Sequence, residues 1–314
     1  MILRDFCLLL FFLQVAIHHF FMKKCSFTAL LLLTWLGTLL AQGPGPGENS
    51  LLWKISGKGL AHPAYLYGTI HIIPAKDFFL TDSTLRAFNN AESVAFEFNL
   101  KKEMRIIPQL RLMLKTRMRG DTTLGMLLNT EDYLFVRDKF QKKRIPMKLV
   151  ERLKPMFIAD LANQDFSGAS GEAMTSYEME FLNRAKIQKK KIRGLETARY
   201  QISVLDSIPY SLQAQMLVEE MRKGSQNNRE YKRLVKIYRR QDLEMLGKMT
   251  LGKDDFSGYN DILLYNRNRN WIPVMEKFMQ KNSMFFAVGA AHLLGDYGVI
   301  ALLRKRGYVL TPVK

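Results

Sequence analysis

The sequence predicts a mixed fold, α/β or α+β in class, in which the two ends of the chain form a central sheet around a large helical insert. Alternating apolar runs that are typical of strands occur near both ends. Residues from about 101 to 281 instead carry apolar side chains at spacings of three and four, as helices do. A Gly-x-x-His motif follows a β-prone run in each terminal region. Strands at both ends with helices between them indicate one sheet that the termini build together.

The first two strands are predicted to form a hairpin. Leu51–Ser56 alternates in polarity, Gly57–Gly59 supplies a turn, and residues 64–70 return as a second strand. This second strand ends at the first Gly-x-x-His motif, Gly68-Thr-Ile-His71.

A helix and a third strand follow. Thr81 or Asp82 is suited to cap a helix that runs to about Asn90. Ser93–Asn99 is rich in aromatic and β-branched residues and is predicted to be a strand. Because side chains alternate along a strand, we expect Glu97 to point away from the aromatic residues, towards an exposed face.

The central third is predicted to be helical and basic, with one strand at Lys191–Leu195. Its basic residues are spread over separate elements and lack interleaved aromatic residues. We therefore expect solvated helix faces and no specific nucleic-acid partner. The predicted helices cover residues 104–118, 130–140, 156–163, 176–185, 198–205, 211–222 and 229–249.

The C-terminal part returns to alternating structure. We predict a helix over Trp271–Met279, a strand over Ser283–Val288, a helix over Asp296–Lys305 and a final strand over Gly307–Pro312. The second motif, Gly289-Ala-Ala-His292, follows the first of these strands. We therefore expect the two motifs on neighbouring strands, within a single domain that covers residues 51–314.

Length and composition allow a sizeable core and favour anionic partners. The chain has 314 residues, of which 47% are hydrophobic and 24% are charged. Its formal charge of +18 favours attraction to an anionic envelope surface, although charge alone does not choose among lipid, glycan and nucleic acid. Nothing in the composition indicates the oligomeric state.

The first 41 residues have the layout of an export leader. Met22-Lys-Lys begins a positive region, residues 27–41 are apolar, and a Gly/Pro linker follows over residues 42–50. We expect translation to start at Met22, cleavage after Ala41, and a periplasmic or cell-envelope location. The alternatives are that the apolar stretch remains as an anchor, or that residues 8–21 form a genuine membrane segment. Both cysteines lie in this leader.

Two histidines and a glutamate form the predicted site. Beyond the leader the chain has only His62, His71 and His292. Open α/β sheets bind ligands where strands end, and His71 and His292 both follow strand-ending glycines. Two imidazoles and one carboxylate can hold a catalytic divalent metal such as zinc, manganese or cobalt, and Glu97 is the carboxylate that we add. Taken singly, each histidine is more typical of a hydrogen-bonded structural residue, and His62 keeps that interpretation.

A polar run, Asn266–Trp271, leads into the predicted helix Trp271–Met279. Arg267 or Arg269 is suited to clamp a carboxylate or to stabilise an oxyanion, and the alternative is a helix start with exposed charge. The sequence has no Walker-type loop, no Gly-x-Ser-x-Gly and no His-Glu-x-x-His. These absences argue against the commonest nucleotide-binding, serine-hydrolase and zincin mechanisms.

A set of motifs carries a family resemblance. It consists of Leu51–Gly57, Tyr67–Pro74, Glu97, Lys154-Pro155, Gly194–Thr197, Asp206–Pro209, Arg267-Asn268, Trp271, Val288–Gly295 and Gly307-Tyr308. In order and spacing this set resembles the TraB/GumN family, which includes the Tiki-type proteases. The resemblance implies His71, Glu97 and His292 at a metal or proton-transfer site, with Arg267 as the matching arginine. Asn266 and Glu178 depart from the family pattern, in which an acidic residue and an aspartate are expected.

We therefore predict an exported, metal-dependent hydrolase that acts as a peptidase on a peptide or protein substrate. The metal lowers the pKa of a water molecule, Glu97 binds the metal or acts as general base, and Arg267 stabilises the oxyanion. The alternative is a non-catalytic binding protein whose cleft holds haem, a glycan fragment or a lipid head group. Whether the helical insert acts as a lid is left open.

Overall fold

The computed structural model describes residues 43–45, 48–163, 173–223, 225–250 and 257–314. The predicted leader, residues 1–41, lies outside them. The strands are β1 (Leu52–Ser56), β2 (Ala64–Thr69), β3 (Ile72–Pro74), β4 (Ser93–Phe98), β5 (Met174–Ser176), β6 (Lys191–Glu196), β7 (Met284–Gly289) and β8 (Val309–Val313).

The helices are numbered in chain order in the same way. They are α1 (Asp82–Asn90), α2 (Leu100–Glu103), α3 (Ile106–Lys115), α4 (Leu124–Leu127), α5 (Thr130–Lys142), α6 (Met147–Val150), α7 (Pro155–Asn163), α8 (Tyr177–Ile187), α9 (Ala198–Val204), α10 (Tyr210–Lys223), α11 (Ser225–Arg239), α12 (Leu243–Thr250), α13 (Ser257–Asn260), α14 (Asn266–Met279) and α15 (Val299–Lys305). Short 3₁₀ turns cover Ala75–Asp77, Leu205–Ser207 and Ala290–Leu293, and a π-helical turn covers Asp261–Tyr265.

Six strands form the central sheet in the order β6-β4-β7-β2-β1-β8. The first four run parallel, and β1 and β8 continue the sheet in antiparallel fashion. The mixed α/β class is confirmed, and both ends of the chain contribute strands as predicted. The insert also supplies an edge strand, β6, so the sheet is not built from the terminal segments alone. A separate two-stranded sheet pairs β3 with β5.

The two Gly-x-x-His segments follow adjacent strands, as predicted. In the parallel pair of β2 and β7, Gly68 lies opposite Val288 and Thr69 opposite Gly289. A Cβ atom at position 68 would lie only 3.1 Å from Ala290 Cα. Gly68 therefore makes room for the backbone of the second motif.

Both faces of the central strands are covered. Every residue of β4 and β7 is buried, as parallel strands generally require. On one face, aromatic rings of Tyr67, Phe88, Phe181 and Phe285 pack with centroid distances of 5.0–6.1 Å. Glu97 is only 5% exposed, so the expectation that it faces an exposed side is wrong. The reason is that Gln201 of α9 and Arg267 of α14 cover this face of β4 and bond to the carboxylate.

Several helix boundaries differ from those predicted, and two of these differences change how a segment is interpreted. The segment predicted as one helix over residues 229–249 consists of α11 and α12. Gln241 between them has φ of 56°, a left-handed conformation that a helix does not continue through. The polar run Asn266–Asn270 lies inside α14 rather than before it, which places Arg267 and Asn268 on a buried helix face.

The helical insert has an apolar core of its own next to the main one. Lys154, which is almost fully buried, links this region to the residues before α10 through a salt bridge of 2.7 Å to Asp206. In the described part of the chain, no helix is long and apolar enough to span a membrane. The buried members of the smaller core are Leu124, Val136, Phe140, Val150, Ile158, Ala159, Ala214, Leu217, Val218 and Met221.

Candidate functional site

The carboxyl ends of the parallel strands bring the predicted site residues together. Glu97 lies near the end of β4, and His71 and His292 follow β2 and β7. Glu196 is the last residue of β6. Strands that run parallel end at the same edge, which is where open α/β sheets bind ligands.

The carboxylate of Glu97 is the centre of this arrangement. Its Oε2 atom accepts hydrogen bonds from Arg267 Nη2 and Gln201 Nε2, each at 2.7 Å. Its Oε1 atom accepts the backbone N–H of Gly289 at 3.0 Å. Burial opposes ionisation, but the charge of Arg267, the electrostatic interactions with His292 and His71, and the Gly289 N–H hold the pKa of Glu97 far below its usual range. Glu97 is therefore ionised in the folded protein.

Arg267 is fully buried between two carboxylates. Its Nη2 atom also donates to Glu196 Oε1 at 2.7 Å, and its Nε atom donates to both oxygens of Glu196. Nη1 donates to the carbonyl of Leu263. Burial alone would lower the pKa of Arg267, but Glu196 and Glu97 outweigh it and raise the pKa. The guanidinium thus donates to groups of the protein itself and holds the two carboxylates in place.

His71 has a carboxylate as its partner. Its Nδ1 atom lies 2.6 Å from Glu178 Oε1, which also accepts the hydroxyl of Thr69 at 2.6 Å. The second oxygen of Glu178 accepts the hydroxyl of Ser176. Burial lowers the pKa of His71, but the charge of Glu178 and its hydrogen bond, with a contribution from Glu97, raise it overall.

His292 has a neutral amide as its partner. Its Nδ1 atom donates to Asn268 Oδ1 at 2.6 Å, and Asn268 Nδ2 is oriented by the carbonyls of Tyr297 and His292. Because an amide oxygen can only accept, Nδ1 carries the proton. The ring also packs against Trp271 with a centroid distance of 4.3 Å. Burial lowers the pKa of His292 to about 3, so the ring is neutral and its Nε2 atom has a lone pair.

The two imidazoles face the same carboxylate oxygen. Glu97 Oε1 lies 3.9 Å from His71 Nε2 and 3.8 Å from His292 Nε2. These distances are too long for hydrogen bonds, whereas two ligands of one tetrahedral metal, each at about 2.0–2.2 Å from it, lie roughly 3–4 Å apart. His292 Nε2 is buried and has no hydrogen-bond partner among the described residues.

This donor set fits a divalent metal in its chemistry. In the described ranges, no group of three or more His, Cys, Asp or Glu side chains is already arranged to hold a metal ion. Two imidazoles and one ionised carboxylate are nevertheless the donor types that zinc and related metals take. Each imidazole is oriented through Nδ1 by a second residue, as is usual for metal-binding histidines, and the partnerless Nε2 of His292 points towards the shared oxygen.

Some predicted residues lie elsewhere, and others were missed. Arg269 is exposed and bonds to Asn266, and His62 lies in an exposed loop. The residues that sequence reasoning left without a role here are Glu196, Gln201 and Asn268. Glu196 and Asn268 lie in segments that carry the family resemblance, which was the available signal, whereas nothing in the spacing marks Gln201.

Fold and site together define a mixed α/β protein with a helical insert and a buried centre of two histidines, a glutamate and an arginine. A family model described as TraB/PrgY/gumN matches residues 51–312, and the chain belongs to this family. No solved structure gives a significant match.

Several relatives are named metalloproteases. The chain is 24% identical over 359 residues to Metalloprotease TIKI1 of Danio rerio, with 91% of this chain and 70% of that protein covered. It is also 24% identical over 324 residues to Metalloprotease TIKI2 of Danio rerio, with 83% and 60% covered. With the Metalloprotease TIKI homolog of Nematostella vectensis it shares 24% identity over 339 residues, with 86% and 68% covered. The chain thus spans 60% to 70% of the length of these relatives.

Proposed function

We propose that this protein is an exported, metal-dependent peptidase whose metal is held by His71, Glu97 and His292. The observation that carries the proposal is the approach of both Nε2 atoms to Glu97 Oε1, at 3.9 and 3.8 Å, with one of these nitrogens buried and without a partner. The names of the relatives, metalloproteases at 24% identity, support the same class of reaction.

A divalent metal at these side chains, such as zinc, manganese or cobalt, would supply Lewis acidity and lower the pKa of a water molecule. Glu97 has two roles open to it from the sequence, as ligand or as general base. A carboxylate whose pKa is strongly lowered is a weak base near neutral pH. Its surroundings therefore favour the role of ligand.

Arg267 is a positioning residue in this proposal. Its donors engage Glu97, Glu196 and the carbonyl of Leu263, so its contacts do not support the oxyanion role expected from the sequence. It instead keeps Glu97 ionised and fixes the direction of its carboxylate. Glu196 holds the arginine in place from the other side, with Trp271 Nε1 donating to Glu196 Oε2.

Substrate would approach from the side of His71. The side chain of His71 is 16% exposed, whereas that of His292 is 0% exposed. Three elements lie around the exposed side. Strand β2 carries Thr69, α8 carries Glu178, and β3 pairs with β5 in the small sheet. A peptide that reaches the centre therefore meets the imidazole of His71 first.

The test uses the purified full chain. Elemental analysis should find a bound divalent metal, and peptide hydrolysis should depend on added Mn²⁺, Co²⁺ or Zn²⁺. His71→Ala and His292→Ala should each lose metal and turnover, whereas His62→Ala, which changes an exposed histidine in a loop, should keep both. A protein that binds no metal, with both site variants indistinguishable from wild type, contradicts the proposal.

The same purified proteins distinguish the peptidase from the alternative, a non-catalytic protein that binds haem, a glycan fragment or a lipid head group. Histidine binds haem iron through a ring nitrogen, and the Nε2 atom of His292 is buried in a side chain that is 0% exposed, so this ring offers haem no open approach. A Soret band after haem addition, without peptide turnover, would support the binding function instead. Export is tested separately by N-terminal sequencing of protein from cell fractions, with Gln42 expected as the first residue in the periplasmic fraction.

A further inference from the structure

Helix α3 exposes an apolar face to solvent. Five of its large apolar side chains are between 53% and 76% exposed. At about 100° per residue, these positions fill an arc of about 120° on one side of the helix. The opposite side carries Leu112, which is 3% exposed and joins the main core. The exposed residues, called the α3 face below, are Ile106, Ile107, Leu110, Met113 and Leu114.

This concentration of apolar surface sets α3 apart. Elsewhere in the described ranges, large exposed apolar side chains such as Met126, Leu149 and Ile187 occur singly on different elements. Single exposed apolar residues are ordinary, whereas a contiguous patch on a soluble protein marks a surface that something covers.

The residues around the α3 face are strongly basic. Positions 101–119 contain seven lysines and arginines and a single acidic residue, Glu103. Arg105, Arg111 and Lys115 of this segment are exposed. Their long side chains can extend past the apolar arc to hold their charges beside anionic groups. An apolar stripe bordered by Lys and Arg is the pattern of a helix that lies in a membrane interface.

We propose that the α3 face docks into the headgroup region of an anionic phospholipid bilayer, with the helix parallel to the surface. The apolar residues enter the boundary between headgroups and acyl chains, and the basic residues contact lipid phosphates. This inference does not depend on the proposed peptidase function. The formal charge of +18 on the whole chain adds a long-range attraction to the same surface.

Docking through α3 would bring the candidate site close to the membrane. Helix α3 packs against α9. Helix α9 carries Gln201, whose side chain donates to Glu97 Oε2 at 2.7 Å. The docked helix would therefore be separated from the candidate site by α9 alone.

The first experiment reads the position of α3 itself. A full-length protein with Cys7→Ser, Cys25→Ser and Leu110→Cys is labelled with an environment-sensitive dye and mixed with phosphatidylcholine vesicles, with or without phosphatidylglycerol. We expect a blue-shifted spectrum, and quenching by quenchers attached to lipids, only when phosphatidylglycerol is present. Leu149→Cys is the matched control, because Leu149 is 69% exposed on a different helix. Both proteins carry the same N-terminal residues, so any binding by that segment is common to them.

A second experiment separates the apolar and basic contributions. In the protein labelled at position 110, the combined substitutions Arg105→Gln, Arg111→Gln and Lys115→Gln should remove the preference for vesicles that contain phosphatidylglycerol. Ile107→Ser with Leu114→Ser should weaken partitioning at least about tenfold, whereas Met126→Ser should leave it unchanged. Equal signals at positions 110 and 149, or a signal at 110 that ignores lipid charge, overturn the proposal. A blue shift that grows with protein concentration in the absence of vesicles also overturns it, because it shows that a second copy covers the α3 face.

Discussion

The two Gly-x-x-His segments share a sequence pattern but place their histidines in opposite electrostatic surroundings. Each Nδ1 atom has one partner at 2.6 Å. For His71 the partner is the carboxylate of Glu178, and the pKa of this histidine is raised. For His292 the partner is the amide of Asn268, and burial lowers the pKa to about 3. The shared motif therefore sets where each ring lies, and the partner sets which protonation state it prefers.

These partners come from distant parts of the chain. Glu178 belongs to α8, and Asn268 belongs to α14. Both rings also face one charged centre, because Arg267 lowers the pKa of each histidine and Glu97 raises it. The difference between the two sides is thus made by single residues outside the motifs, and it can be altered without touching either histidine.

The largest effect is expected from removing the charge that both sides share. Arg267→Met leaves Glu97 and Glu196 buried without their counter-ion, which should destabilise the protein by about 3–5 kcal/mol. Urea unfolding measures this loss. Arg269→Met, two residues along the same helix at an exposed position, should change stability by no more than about 0.5 kcal/mol. Equal losses in the two variants would show that Arg267 does not hold the centre together.

Exchanging the types of the two Nδ1 partners, carboxylate for amide, should reduce the difference in pKa between His71 and His292. Asn268→Asp gives His292 a carboxylate and should raise its pKa, whereas Glu178→Gln gives His71 an amide and should lower its pKa. NMR titration of the ring protons measures both shifts. If neither pKa moves, the Nδ1 partners do not cause the asymmetry.

The same exchange predicts a change in the pH dependence of stability. The folded-state pKa of His292, about 3, lies below its ordinary 6.5, so unfolded chains bind a proton that the folded protein refuses between these values. This contribution to stability is present above pH 6.5 and is lost as the pH falls towards 3. His71 has a raised pKa, so its contribution is present in acid and is lost as the pH rises through the raised value. Asn268→Asp should therefore make urea stability fall less steeply on acidification than in wild type.

The smallest effect is expected at the hydroxyl that supports Glu178. Thr69→Val keeps the shape of the side chain but removes the 2.6 Å hydrogen bond to Glu178 Oε1, which should cost about 1 kcal/mol of stability. Thr69→Ser keeps the hydroxyl and should keep most of that stability and the raised pKa of His71. A Thr69→Val protein as stable as wild type would show that this hydroxyl adds nothing on the His71 side.

Much of this architecture can be predicted from the sequence, because short sequence patterns indicate the individual strands and helices. Alternation identifies β1, β2 and β4, and the repeated motif identifies β2 and β7 as neighbours. Burial of Glu97 cannot be predicted in this way, since it depends on α9 and α14 covering this face of β4. From the sequence alone, a carboxylate that alternates with aromatic residues in a strand is expected to face solvent. The buried counter-ion that allows it to be buried lies far away in the sequence.

Contacts between residues far apart in the sequence also cannot be predicted from these patterns. Arg267 could be singled out by its polar neighbourhood, but its pairing with Glu196, 71 residues away, is made by the packing of α14 against β6. Gln201 lies in an ordinary helix and nothing in its spacing marks it. The export leader and the single domain over residues 51–314 stay predictions, and the family match covers residues 51–312 of that range.

The position of β1 between β2 and β8 has a consequence for the time at which this protein becomes functional. Leu52 pairs with Val313, and His292 follows a strand that lies between β2 and β4. At a synthesis rate of about 5–20 residues per second, roughly ten to fifty seconds separate the first strand from the last. Until then the nascent chain has His71 and Glu97 but no strand to join them to His292. Contacts that span nearly the whole chain also fold slowly. Peptide-cleaving activity of the kind proposed here would therefore be withheld throughout translation by topology.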